Sequence, residues 1–136
     1  MQLKWEGGMT FAAQTPSGGV ARFQTAPETP GGNQHPTPVE ALAAAIAACA
    51  AIDVVAILEK QRQNIAQYHV EIEYDRVPEG TYPRPITAVR LRHVLSGPDL
   101  NPAFVERAVK LSDEKYCSVA ATLRAGTTIS SEFEIR

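Results

Sequence analysis

The chain has little that marks a specialised partner or compartment. Its 136 residues include only two cysteines and one tryptophan, and the formal net charge is −2. So small a charge gives no reason to expect nucleic acid or an anionic membrane as a partner. The amino terminus has neither a basic segment nor an apolar run, so we predict no secretory signal and a cytoplasmic protein. In a reducing compartment the two cysteines are expected to be catalytic, redox-active or simply buried, rather than a structural disulfide.

Metal-binding patterns and repeats are also missing. His69 and His93 lie on predicted strands with no second ligand at metal-binding spacing, so we expect no metal and no cofactor. His35 lies in a loop rich in proline and glycine, near the start of a helix, where it is either a supporting site residue or plain surface. A chain of this length usually forms one core, so we predict a single domain over residues 1–136.

The dominant feature is an alanine-rich helix predicted over residues 36–62. Nearly every position from Ala41 to Leu58 is apolar, and a helix that is apolar all round has to be buried on all sides. Thr37 and Glu40 form a predicted capping box, with Pro38 at the first helical position. The apolar run approaches the length of a membrane span. We reject that interpretation because alanine contributes little hydrophobicity and Asp53 lies within the run.

The remaining elements predict an α+β fold, with an antiparallel sheet and helices on one of its faces. Trp5, Val20 and Phe23 are expected to supply core contacts from the first strands. A second helix begins at Asn101-Pro102, and a short helix is expected near Ser118. The predicted strands are 2–6, 9–14, 19–25, 67–76, 86–96 and 127–135. A long buried helix in so small a protein is covered more easily by two subunits than by one, so we expect a homodimer.

The residues alone leave the role of the cysteines open. Cys49 lies within the central helix, and Cys117 lies at the start of the short helix. If the two meet, peroxide reduction suits them: one thiolate attacks the O–O bond, becomes a sulfenic acid, and condenses with the second thiol. The alternative is that Cys49 is a small apolar core residue.

Two segments together resemble a known family. PTPVEALAAAIAACAAIDVV, from Pro36 to Val55, is followed by LSDEKYCSVAATL, from Leu111 to Leu123. This combination resembles the OsmC/Ohr family, the osmotically inducible protein C and organic hydroperoxide resistance proteins. The segments IDVV and EKYCSV look most like the uncharacterised OsmC-like branch of that family.

The resemblance implies an OsmC-like fold, with antiparallel sheets packed on a long central helix in an intertwined homodimer. It also implies a thiol-dependent peroxidase of the oxidative or osmotic stress response, which reduces organic hydroperoxides and is regenerated by a dithiol reductant without metal or haem. Carried over, Cys49 is the peroxidatic thiol and Cys117 the resolving thiol.

Two further residues of the implied site depart from the family pattern or lack a fixed assignment. Peroxidase members place a glutamate, bonded to a thiolate-steadying arginine, where this chain has Val39. Glu40 is one position away, a rotation of about 100° around the helix, so it is either catalytic or only the capping acid. Arg22 is the candidate for the arginine, and the alternative is a solvent-facing strand residue.

Asp53 and Lys115 are expected to support the site. Asp53 lies one turn from Cys49 and needs a partner, which we expect to be a cation or a backbone group of the partner subunit. Lys115 either lowers the pKa of Cys117 or belongs to a solvated helix end.

The main alternative function is a non-peroxidatic OsmC-like dimer that senses redox state or binds a small apolar ligand. A purely structural dimer is the third possibility.

Overall fold

The computed structural model describes residues 1–28 and 31–136, which divide into two compact units, 1–42 and 43–136. The first unit contains an antiparallel meander of β1 (Gln2–Gly7), β2 (Thr10–Gln14) and β3 (Val20–Gln24). All three strands were predicted within one residue at each end. Two glycine-containing turns separate them, and Gly7 and Gly8 adopt positive φ angles that favour glycine. The single domain over residues 1–136 stays a prediction.

The expected core contacts of the first sheet are wrong for two residues. Trp5 is 68% exposed and Val20 is 50% exposed, whereas Ala12 and Ala13 on β2 are buried. The Trp5 indole turns towards the β1–β2 turn, where its N–H donates a hydrogen bond to the Gly8 carbonyl oxygen at 2.8 Å. A partner in the adjacent turn therefore satisfies the ring's only polar group at the surface.

The central helix α1 runs from Pro38 to Lys60. The predicted capping box is present: the Thr37 backbone N–H donates to the Glu40 carboxylate at 2.7 Å, and the Glu40 N–H donates to the Thr37 hydroxyl at 3.3 Å. These bonds satisfy two backbone donors that a helix start leaves unpaired.

One face of α1 stays exposed in the single chain. Ala43, Ile46, Ala47, Ala50, Val54 and Leu58 are buried. The opposite stripe of Ala45, Ala48, Ile52 and Ala56 is exposed, with Ile52 at 69%. By length and composition alone α1 could cross a membrane, but core helices of soluble proteins meet the same criterion. The sequence predicts that α1 is buried on every side, but the single chain buries only one face of this helix.

The second unit contains a sheet in the order β4-β5-β6, and the fold is α+β as predicted. Its strands are β4 (Gln67–Arg76), β5 (Ile86–Ser96) and β6 (Thr128–Ile135). β4 and β5 are antiparallel, but β5 and β6 are parallel, so the prediction of purely antiparallel sheets is wrong for this pair. The reason is the connection: the helices between β5 and β6 return the chain to the starting end of the sheet, as parallel pairing requires.

Two helices and a π-helical turn make up that connection. α2 (Pro102–Leu111) begins at Asn101, whose side chain accepts a hydrogen bond from the Ala103 N–H at 2.9 Å. The π turn covers Ser112–Tyr116, and α3 (Ser118–Leu123) follows. The cap of α3 is Cys117, at the start of the short helix that the sequence predicts near Ser118.

The core of the second unit lies between its helices and its sheet. The buried cluster joins α1, β5 and α2, and consists of Val54, Leu58, Leu95, Leu100, Val105, Ala108 and Val109. On the outer face of the sheet, Arg90 pairs with Glu73 and Asp75, and Arg92 pairs with Glu71, Glu132 and Glu134. This face is therefore solvated, and the helices cover the other.

Candidate active site

Cys117 occupies a buried position where three elements meet. Its side chain is 3% exposed, and its Sγ accepts a hydrogen bond from the Ala120 N–H at 3.4 Å, which caps α3. Its thiol donates towards the Ile46 carbonyl oxygen on α1 at 3.9 Å. The π turn ends here as well, because the Cys117 N–H donates to the Ser112 carbonyl oxygen at 2.9 Å. The cap of α3, the contact with α1 and the hydrogen bond that closes the π turn together fix the position of the Cys117 sulfur.

The fold brings Cys49 and Cys117 together. Both are free cysteines; Cys49 is half-buried on α1. Burial is the largest of the effects that raise the pKa of Cys117 to about 11, and the neighbouring Cys49 side chain contributes to the same rise. The Ala120 N–H acts in the opposite direction, and the charges of Cys49 and Asp53 add to the increase. Cys117 is therefore a protonated thiol at neutral pH.

Asp53 finds its partner within the chain. The Ser112 hydroxyl donates a hydrogen bond to the Asp53 carboxylate at 3.1 Å and lies 3.4 Å from the Ala50 carbonyl oxygen. This partner is neither of those expected from the sequence, a cation or a backbone group of another subunit. A hydroxyl donor satisfies a part-buried carboxylate and leaves its negative charge in place.

No basic side chain hydrogen-bonds or ion-pairs with Cys49, Cys117 or Asp53 among the described residues of the second unit. The expected supporting lysine, Lys115, is exposed and stacks over the Tyr116 ring at 5.5 Å. It is not among the groups that act on the pKa of Cys117. This exposure fits the second alternative, a solvated helix end, and a supporting role for Lys115 stays a prediction.

Three other candidate residues lie in the first unit. Arg22 on β3 is exposed and pairs with Glu6 on β1 at 3.0 Å. Glu40 is held by the capping box, and the hydrogen bonds with Thr37 lower its pKa. His35 is half-buried, and its backbone N–H donates to the Gln24 side-chain oxygen at 3.1 Å. Roles for these residues in a reaction remain predictions.

Sequence reasoning missed Ser112. Nothing in the local pattern distinguishes this serine from other polar residues at a helix end. Its role depends on the π turn, whose wider hydrogen-bonded ring places a residue and the fifth residue after it side by side. A single sequence predicts an ordinary helix end here.

A buried Tyr68–His93 pair was also missed. The Tyr68 hydroxyl lies 2.6 Å from the His93 Nδ1, and the His93 side chain is fully buried. The His93 Nε2 is buried without a hydrogen-bond partner. Burial lowers the pKa of His93 to about 4, while the charge of Asp113 acts in the opposite direction. The alternation of the strands predicts that both rings point inward. Their contact also depends on how β4 and β5 are aligned with each other, which the alternation does not define.

No group of three or more histidine, cysteine, aspartate or glutamate side chains within residues 1–28 and 31–136 could hold a metal ion.

The model of the OsmC-like protein family matches residues 31–132, a range that includes both cysteines and Asp53. The chain belongs to this family. It is 38% identical to Protein YhfA of Escherichia coli strain K12 over 134 residues, covering 98% of this chain and 96% of that protein. This finding confirms the resemblance seen in the two sequence segments.

Solved structures agree on the fold. A hypothetical protein from Aquifex aeolicus VF5 superposes with a TM-score of 0.84 at 27% identity, covering 99% of this chain and 93% of the other. The organic hydroperoxide resistance protein OhrB of Bacillus subtilis superposes with a TM-score of 0.67 at 18% identity, covering 98% and 96%. At the latter identity the likeness establishes the fold alone.

Proposed function

We propose that this chain is a thiol-dependent peroxidase that reduces organic hydroperoxides through Cys49 and Cys117. The observation that carries the proposal is the meeting of the two thiols at one place in the second unit, although they are far apart in sequence. Membership of the OsmC-like family and the fold of a hydroperoxide resistance protein add support.

The proposed cycle has three steps. The more accessible thiol, Cys49, reacts as its thiolate with the distal oxygen of the hydroperoxide, so that the O–O bond breaks and the alcohol leaves with a proton. Cys117 then attacks the Cys49 sulfenic acid, forming the disulfide and releasing water. A dithiol reductant exchanges with this disulfide, is itself oxidised, and restores both thiols. No metal or cofactor takes part.

A homodimer in the cytoplasm is part of the proposal, and the exposed apolar stripe of α1 supports the dimer. Ala45, Ala48 and Ala56 have small side chains that permit close approach of a second helix. Ile52 is a large apolar side chain on the same stripe and is 69% exposed. Arg22 of the first unit is the proposed source of the thiolate-stabilising cation.

One observation favours a second candidate, a slow redox sensor with the same fold. Cys117 has a raised pKa and an anionic neighbour, whereas rapid thiol chemistry usually depends on an electropositive setting. A sensor would form the same disulfide but would not turn over.

The test is steady-state reduction of cumene hydroperoxide in the presence of dithiothreitol, measured as cumyl alcohol formed. The peroxidase proposal predicts many alcohol molecules per protein chain, and loss of turnover in Cys49→Ser. Formation of one alcohol per chain or less, together with a Cys49–Cys117 disulfide, would favour the sensor instead.

A further inference from the structure

Ser112 forms hydrogen bonds with both Asp53 on α1 and the buried Cys117. Its hydroxyl donates to the Asp53 carboxylate at 3.1 Å, and its carbonyl oxygen accepts from the Cys117 N–H at 2.9 Å. Ser112 is 1% exposed, whereas Asp53 is half-buried, so the bond between them is partly shielded from water. The π turn makes this double role possible because it closes between Ser112 and Cys117.

The groups that face Cys117 favour its protonated form. From α1 come the Cys49 side chain, the charge of Asp53, and the Ile46 carbonyl oxygen that accepts the thiol proton. From α3 comes one opposing group, the Ala120 N–H. The charged side chains of the π turn are engaged elsewhere: Asp113 pairs with Arg124, Lys110 pairs with Glu114, and Lys115 lies over Tyr116.

We propose that Asp53, oriented by Ser112, is a positioning residue that adds to the effect of burial in keeping Cys117 protonated, and that it thereby limits the rate of disulfide formation. The inference rests on the proposed two-cysteine function. A carboxylate beside a thiol disfavours a second negative charge, and the serine hydrogen bond fixes the carboxylate where it acts. Asp53 thus slows the resolving step and prolongs the life of the Cys49 sulfenic acid.

The first experiment isolates Cys117 in a Cys49→Ser protein and follows thiolate absorbance in the ultraviolet as pH rises. Replacing Asp53→Asn keeps an acceptor for Ser112 and removes the charge. We expect the midpoint for Cys117 to fall by a few tenths of a pH unit, because burial rather than the Asp53 charge causes most of the rise. The matched control is Glu59→Gln, which removes a charge from an exposed position on the same helix and is expected to leave the midpoint unchanged. An Asp53→Asn midpoint that is unchanged or higher would overturn the proposal.

The second experiment uses the protein with both cysteines and follows conversion of the sulfenic acid to the disulfide after one pulse of cumene hydroperoxide. Asp53→Asn is expected to speed this step by less than about twofold, since the gain in thiolate is partly offset by weaker nucleophilicity. A slower step would contradict the proposal and would make Asp53 a proton acceptor for Cys117.

A double-mutant cycle tests the part assigned to Ser112. In a Ser112→Ala background, Asp53→Asn is expected to shift the Cys117 midpoint by clearly less than in the protein with Ser112. Equal shifts would show that Ser112 does not position the carboxylate. The titrations need no peroxide chemistry, so a protein that titrates as expected but forms no sulfenic acid would refute the proposed function and leave the assignment of Asp53 intact.

Discussion

At the residue scale, polar groups inside the second unit differ in whether they have a hydrogen-bond partner. Asp53 has its partner in Ser112, and Cys117 has partners in Ile46 and Ala120. His93 instead keeps one ring nitrogen buried without a partner. A second proton on the ring is disfavoured, because it would place a positive charge in the core, away from water and without a hydrogen-bond partner.

Because of His93, the free energy of unfolding is expected to depend on pH. The unfolded chain binds a proton at His93 below about pH 6.5, whereas burial lowers the pKa of the folded residue to about 4. The unfolded state therefore binds more protons between these values, and the free energy of unfolding falls as the pH falls from about 6.5 to about 4, by at most about 3 kcal/mol. Urea unfolding at a series of pH values measures this slope.

The matched pair for that experiment is His93→Gln and His69→Gln. His69 is exposed on β4, so its replacement should leave the slope unchanged, while His93→Gln should flatten it. An unchanged slope in His93→Gln would show that other groups cause the acid sensitivity.

At the element scale, local chemistry is enough to predict where most helices and strands begin and end. The capping box at Thr37 and Glu40, the Asn101 cap and the strand alternation of β4 and β5 all follow from neighbouring residues. The parallel pairing of β5 with β6 depends on the path of the chain through α2 and α3, which no local pattern contains. The Ser112–Asp53 bond was missed for the same reason, since it needs the π turn and the packing of α1 together.

The capping box also separates the two roles considered for Glu40. Thr37→Ala removes an acceptor for the Glu40 N–H and should lower the free energy of unfolding by about 1 kcal/mol. Glu40→Gln keeps the box, so it should leave the rate of Cys49 oxidation by cumene hydroperoxide unchanged. A large loss of that rate in Glu40→Gln, with stability retained, would assign Glu40 to catalysis.

Gly97 shows how tightly the end of β5 packs against the loop after α1. A methyl group at this position would overlap the carbonyl oxygen of Asn64 and crowd the Ala66 backbone nitrogen. Gly97→Ala should therefore lower the free energy of unfolding by about 1–3 kcal/mol, because backbone atoms have to move. Gly126→Ala is the control: its methyl would meet nothing within 4 Å, so denaturant unfolding should change by less than about 0.5 kcal/mol. Equal effects would contradict this packing.

At the scale of the whole molecule, the exposed stripe of α1 is the feature that the single chain leaves uncovered. We expect a dimer in solution and predict that Ile52→Asp, which places a charge on the stripe, shifts it to monomer. Ala103→Asp adds the same charge at an exposed position on α2 and should leave the dimer intact. Light scattering coupled to size-exclusion chromatography measures the mass. A wild-type monomer, or a dimer unaffected by Ile52→Asp, would contradict the assignment of this face.

The proposed function requires that Cys49 and Cys117 act as one redox pair. The most direct measurement treats the reduced protein with one equivalent of cumene hydroperoxide and counts free thiols over time, with the disulfide identified by mass spectrometry. We expect loss of both thiols to a Cys49–Cys117 disulfide, no loss in Cys49→Ser, and arrest of Cys117→Ser at a sulfenic acid. Retention of both thiols in the wild-type protein, or equal oxidation of Cys49→Ser, would contradict it.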